Sequence, residues 1–244
     1  SLEANVRLLI AKLDCNEENW EAAIRGANRV LELDPRNLEA IAIRHKCWYC
    51  ISCVPEEVAD HRRYIEIQPD IERHSRLLFK LNFLTETTPE SLYEESRHWN
   101  ELYAAPLAAE IRPYPNTADP ERRLKIGYVS PDLHTHAIMK LLPAVFEMHD
   151  EREFEMFAYS IGTKSDEVTE SIRRRVKNFV PLPASRHEIV QRVRADGIDI
   201  LIDLGGHTMH TSAYLTFAVK PAPVQVTWLG ALATTGLDTI DYFI

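Results

Sequence analysis

No apolar run in this sequence is long enough to span a bilayer, which takes about 20 residues, so no membrane role is expected. Net positive charge is missing too: 37 acidic against 28 basic side chains leave a formal charge of −9. Phosphate backbones need a cationic surface, so nucleic acid is not an expected partner. The basic run Arg173-Arg174-Arg175 reads as the solvated face of a helix. Cysteine is scarce, with four in 244 residues. No disulfide framework is implied, and a cytoplasmic location is the expectation. Cys47, Cys50 and Cys53 follow a C-x-x-C-x-x-C spacing that resembles part of an iron–sulfur run. A cluster or a zinc site needs a fourth ligand; Cys15 is remote, and His45 is the nearby candidate. The reading adopted is no metal, with small apolar side chains on or near one helix. The dinucleotide fingerprint G-x-G-x-x-G, the Walker loop, the zinc-protease pair and the nucleophile elbow are all absent.

What is present begins with a repeat. Leu31-Glu32-Leu33-Asp34-Pro35 is echoed by Ile65-Glu66-Ile67-Gln68-Pro69, with the prolines 34 residues apart. That is the period of tetratricopeptide helix pairs. Framed on Pro35, one repeat covers 4–37 and puts Ala11, Ala23 and Ala27 where two helices must approach closely. Framed on Pro69, the next covers 38–71 and fits worse, because His45 and Glu57 fall at two of the small-residue positions. Two repeats rarely bury enough surface to stand alone, so further repeats upstream or a capping domain downstream are expected. Residues 72–84 carry an apolar helix-like run, and Thr88-Pro89-Glu90 opens another helix. Pro106, Pro113, Pro115 and Pro120 mark 106–123 as a linker. The resulting division is repeats at 1–71, a helical connector and Pro-rich linker at 72–123, and a third region at 124–244.

From Leu124 the pattern alternates. Strands are expected at 124–130, 154–160, 178–182, 199–204, 224–229 and 240–244, with helices near 137–149, 166–177, 186–196 and 209–219. Such alternation means βαβ units and a parallel sheet. Three strands end in loops rich in His, Thr or Gly: Pro131–His136, Gly205-Gly206-His207-Thr208, and Gly230 onward to Thr234-Thr235-Gly236. Ligands of open parallel sheets bind outside the carboxyl ends of the strands, so these loops belong to one edge. His136 is the candidate general base, because imidazole exchanges a proton near neutral pH. Gly205 and Gly206 let the backbone bend sharply, and His207 and Thr208 offer polar contacts. Thr234, Thr235 and Gly236 suit a phosphate or pyrophosphate. The chain stops inside the strand-like run Tyr242-Phe243-Ile244, so more chain is expected beyond it.

These residues resemble a known family. Leu124–Ser130 with Asp132 and His136, then Gly205–Thr208, then Phe217–Gly230 with its Pro-Ala-Pro-Val-Gln-Val-Thr-Trp-Leu-Gly block, are similar to the O-linked N-acetylglucosaminyltransferases, glycosyltransferase family 41. The order of repeats, helical connector and catalytic region is similar as well. The resemblance implies a tetratricopeptide α-solenoid followed by a Rossmann-like sheet, the N-terminal lobe of a GT-B enzyme. It implies inverting transfer of a sugar, N-acetylglucosamine, from a UDP-sugar to Ser or Thr of a protein acceptor held by the repeats. It implies no metal and no cofactor beyond the UDP-sugar co-substrate. His136 matches the active-site histidine. Thr234, Thr235, Gly236, His207 and Thr208 fall on the donor side and Lys140 on the acceptor side. A second lobe with most nucleotide contacts is absent from the sequence, so the chain as it stands is expected to be inactive. Ala137-Ile138-Met139-Lys140 and Ala231-Leu232-Ala233 depart from the family pattern, as does Thr211-Ser212-Ala213-Tyr214. Met139 and Lys140 are expected to crowd or recharge the acceptor site. The departures keep two alternatives open: a non-catalytic repeat scaffold on a degenerate lobe, or transfer of another sugar or to Asn. A homo-oligomer is compatible with the sequence.

Overall fold

The computed structural model describes every residue except Ser1, Pro120 and Ala231. Pro120 of the Pro-rich stretch and Ala231 of the Ala-Leu-Ala departure therefore lie outside the described residues. The chain forms two compact units, one to Thr88 and one from Pro89. The first is all helical: α1 (Leu2–Asn16), α2 (Trp20–Leu33), α3 (Leu38–Cys50), α4 (Val54–Ile67) and α5 (Ile71–Leu81). Pro35 and Pro69 each follow a helix end by two residues, where a residue that cannot continue the helix belongs. Asn37 and Asp70 start the helices that follow, their side chains accepting from the amides of Ala40 and Arg73 at 3.0 and 2.9 Å. Ala11, Ala23 and Ala27 are fully buried, and a Cβ on Gly26 would lie 3.0 Å from that of Ala11. Helices α1 and α2 are thus in contact through their smallest residues.

The cysteines do not gather. Cys47 is buried beside Cys15, and burial pushes its thiol up to about 12. Cys50 is exposed, and Cys53 donates to Glu56 at 2.7 Å.

The second unit opens with α6 (Pro89–Trp99), a π-helical turn over Asn100–Ala104 and a 3-10 helix over Ala105–Glu110. The strands are β1 (Leu124–Ser130), β2 (Phe154–Ser160), β3 (Asn178–Pro181), β4 (Ile200–Asp203), β5 (Val224–Thr227) and β6 (Tyr242–Phe243). All pair in parallel, in the order β3-β2-β1-β4-β5-β6. This is a Rossmann-like sheet. The last five residues of β1 and of β2 are buried, as in parallel strands covered on both faces. Tyr128, Leu142, Phe146, Met156, Ile172 and Ile202 build the core on one side.

Helices α7 (Leu142–Met148), α8 (Glu167–Arg175), α9 (Arg186–Asp196) and α10 (Thr211–Tyr214) connect the strands. Two expected helices are corrected. The run near 137–149 divides into a 3-10 turn, Ala137–Lys140, and α7, because Pro143 has no amide to continue the first turn and suits the start of a new one. The run near 209–219 is one α turn and a 3-10 turn, Phe217–Val219, closed by Lys220 in the left-handed region at φ 42°. All its apolar residues but the half-buried Leu215 are buried, which mimics a helical pattern without one.

The Pro-rich stretch lies within the second unit, pinned to the amino edge of the sheet. Tyr114 donates to the Lys220 carbonyl at 3.1 Å, and Asn116 donates to Asp199 at 2.6 Å. Asp199 also accepts from the Lys125 amide at 2.9 Å and pairs with Arg122. Burial opposes the charge on Asp199, but Arg122 and these donors hold its carboxyl below the ordinary range.

Candidate active site

Chain order runs outward from β1 through β2 to β3, then resumes at β4 on the other side of β1. The switch point therefore lies between β1 and β4, the place where open parallel sheets bind their ligands at the carboxyl edge. Loop 131–136 follows β1, and Gly205–Thr208 follows β4. The loop after β5 borders the same edge.

His136 is exposed, directly before the 3-10 turn Ala137–Lys140. Its loop is held from behind by α8. Asp166 caps that helix through the amides of Val168 and Thr169, and its other carboxylate oxygen accepts from the Thr135 amide at 2.8 Å. The Thr135 contact leads the donors that hold the Asp166 carboxyl well below the usual carboxylate range. The Thr169 hydroxyl donates to the Leu133 carbonyl at 2.8 Å. His134 is buried, with Nε2 3.6 Å from Asp132 and its ring centroid 6.0 Å from that of His136. Lys140 is exposed, but Met139 is buried in the core, so it does not crowd an acceptor as its place in the sequence suggested.

The turn after β4 is organised by a residue that sequence reasoning passed over. Asp203 is fully buried at the end of β4. Its Oδ1 accepts from the amides of Gly205 and Gly206 at 2.9 and 2.8 Å, and its Oδ2 from the Thr227 hydroxyl at 2.9 Å. Burial pushes its carboxyl up, against these three donors. An aspartate two residues before a Gly-Gly pair is the signal that would have found it, since Asp side chains bond the backbone just ahead. Gly206 sits at φ 51°, where a side chain is strained.

The glycines at this edge touch protein backbone. A Cβ on Gly230 would fall 2.4 to 2.5 Å from backbone atoms of Gly205. Just before it, the Gly230 amide donates to the Trp228 carbonyl at 2.7 Å, closing a γ-turn about Leu229 at φ 60°. Such a turn is rare and strained for a branched residue, and strain of this kind concentrates at functional sites.

Of the donor-side candidates, His207 and Thr235 are brought into contact. His207 stands edge-on between Trp99 and Tyr214, with both ring centroids at 4.8 Å, and its Nε2 lies 3.3 Å from the Thr235 carbonyl. Thr208 is exposed and donates to the Gly205 carbonyl at 2.6 Å. Thr234 and Thr235 accept from the amides of Gly236 and Leu237 at 3.2 and 3.3 Å. A phosphate would have to displace these hydroxyls to take the amides. Gly236, at φ 72°, lies against the Ser96 carbonyl, 2.3 Å from where its Cβ would be. Arg97 donates to the Gly236 carbonyl at 3.0 Å and pairs with Asp238, so α6 clamps the segment. A shallow pocket of about 550 Å³ opens beside it, lined by Thr227, Leu232, Thr234, Thr235 and Tyr242 among others.

Residues 108–244 match glycosyl transferase family 41. The chain belongs to that family. A SPINDLY protein of Arabidopsis thaliana is 36% identical over 188 residues, covering 73% of this chain and 20% of its own length. The UDP-N-acetylglucosamine–peptide N-acetylglucosaminyltransferase of Caenorhabditis elegans is 34% identical over 126 residues, 50% of this chain and 11% of its own length. A solved point mutant of Thermobaculum terrenum O-GlcNAc transferase superposes with a TM-score of 0.80 at 31% identity, over 98% of this chain and 46% of that one. The chain thus spans about a fifth of the length of the SPINDLY relatives it matches. The family member's fold is the expected one: tetratricopeptide helices, then the Rossmann-like N-terminal lobe of a GT-B transferase. Among the described residues, no helix is long and apolar enough to cross a membrane.

Proposed function

We propose that this chain is the repeat-bearing and acceptor-side portion of a protein O-glycosyltransferase. The donor is a UDP-sugar, N-acetylglucosamine by preference, and the acceptor is a Ser or Thr hydroxyl of a protein held by the repeats. The observation that carries the reading is His136, exposed at the end of β1 beside the switch point of a family 41 lobe. The acceptor oxygen attacks the anomeric carbon from the face opposite the diphosphate. The bond from that carbon to the phosphate oxygen breaks, UDP leaves with the electron pair, and the hydroxyl proton passes to the His136 imidazole. The configuration inverts, and neither metal nor cofactor takes part. Lys140 borders the acceptor side. Thr234, Thr235, Gly236, His207 and Thr208 form the donor side, where amides and hydroxyls stabilise the departing diphosphate. The protein acts in the cytoplasm.

The test is UDP release by the natural protein that contains this chain, given a panel of UDP-sugars and a Ser/Thr-rich extract. Release requires both donor and extract, and His136→Ala lowers turnover about 100-fold or more while leaving donor binding intact. Unchanged turnover in that variant removes His136 from the chemistry. No release, with no UDP binding by calorimetry, turns the reading to a repeat scaffold on a retired transferase lobe.

A further inference from the structure

The second repeat departs from the first at three buried positions, and the departures converge. Ala11, Ala23 and Ala27 are each followed 34 residues later by His45, Glu57 and His61. In the first repeat the three alanines are fully buried between α1 and α2. In the second, His45 comes from α3 and Glu57 and His61 from successive turns of α4. Their side chains are 12, 2 and 1% exposed. A helix contact that alanine fills without cost has been given three ligand-type side chains instead.

The three facing atoms have the geometry of a coordination site. His45 Nε2 and His61 Nε2 are 2.8 Å apart. Glu57 Oε1 is 3.6 Å from the first and 3.9 Å from the second, too far for a hydrogen bond to either. A circle through three points with those separations has a radius of about 2.0 Å, the length of zinc–imidazole and zinc–carboxylate bonds. A cation at its centre would replace two contacts too long to be hydrogen bonds with two bonds of ordinary length. Burial, reinforced by the cationic Arg73, Arg76 and Lys80, keeps both imidazoles neutral, the form that binds metal.

We propose that His45, Glu57 and His61 form a binding site for a divalent transition-metal cation, zinc by preference, with water in the fourth position. The ion ties α3 to α4 and stabilises the second repeat. For both rings to coordinate through Nε2, the imidazole that now donates shifts its proton to Nδ1. Lys80 is the competitor, since its Nζ lies 3.0 Å from Glu57 Oε2 and neutralises the same carboxylate. The site lies in the helical unit and takes no part in the proposed transfer.

Titration of the chain with Zn²⁺, followed by calorimetry and by thermal unfolding, decides it. One ion binds per chain and raises the unfolding midpoint. His45→Ala and Glu57→Gln each weaken binding at least about tenfold, and Lys80→Met strengthens it. Co²⁺ in the same site gives visible d–d bands without an intense thiolate charge-transfer band. The triple variant His45→Ala, Glu57→Ala, His61→Ala restores the alanines of the first repeat, so it folds by circular dichroism and binds no zinc. The proposal is overturned by no saturable binding below about 100 μM. It is equally overturned by wild-type binding in the folded triple variant, or by binding that Cys50→Ser and Cys53→Ser abolish.

Discussion

Asp199 stands just before β4 and Asp203 is its last residue, and the two end up with opposite electrostatics. Asp199, at the amino edge, meets a guanidinium, a side-chain amide and a backbone amide, and its acidity increases. Asp203, at the carboxyl edge, is more deeply buried, meets only neutral donors, and its acidity falls. A cation can offset the desolvation of a carboxylate; two amides and a hydroxyl offset it only in part. The amino edge is therefore fastened by an ion pair to the chain arriving from the Pro-rich stretch. At the carboxyl edge Asp203 holds the turn after β4 by hydrogen bonds alone.

Breaking the carboxyl end should have the larger effect. Asp203→Ala leaves two amides and a hydroxyl buried without their acceptor and should cost about 3 kcal/mol or more in urea unfolding. Asp203→Asn keeps an acceptor for the amides and should cost clearly less. Asp199→Ala should cost about 2 kcal/mol, because Arg122 is partly exposed and recovers some hydration. An Asp203→Ala loss smaller than the Asp199→Ala loss would reverse the ranking.

The pH dependences sharpen the contrast. A depressed carboxyl stabilises the fold above the unfolded value of about 3.9, so the advantage of wild type over Asp199→Asn should shrink as pH falls below about 4. A raised carboxyl binds its proton more tightly in the folded state, and its contribution declines as pH rises from about 4. Asp203→Asn should then gain on wild type between pH 4 and 7, as read from unfolding midpoints. The smallest effect belongs to Asp166→Ala. Loss of its cap should lower the unfolding midpoint slightly and speed hydrogen exchange at Thr135, with β4 unaffected.

The frame of the molecule was legible because it rests on periodicity. The 34-residue echo and the strand–helix alternation each repeat a local pattern, and His136 takes its place from the end of the first strand. What could not be read depends on residues far apart in sequence. Gly236 has no room for a side chain because the Ser96 carbonyl lies where its Cβ would be. His207 is an edge-on partner of Trp99 rather than a free polar contact. Met139 looked like an intruder in the acceptor site only because helical spacing cannot say which side faces the core. His45 and Glu57 were visible as misfits in a repeat, and the same echo puts His61 at a third, 34 residues after Ala27; the 2.8 Å approach of its ring to His45 is what only folding shows.

Between Gly205 and Gly230 there is no side chain to act as a cushion. Backbone meets backbone there, and hard contacts of that kind pass on a displacement that a flexible side chain would absorb. Asp203 anchors the peptide after β4 by two amides and meets the end of β5 through the Thr227 hydroxyl, so both loops start from one buried carboxylate. The loops after β4 and β5 thus share both a hard backbone contact and a common anchor, and a side chain at Gly230 would force them apart.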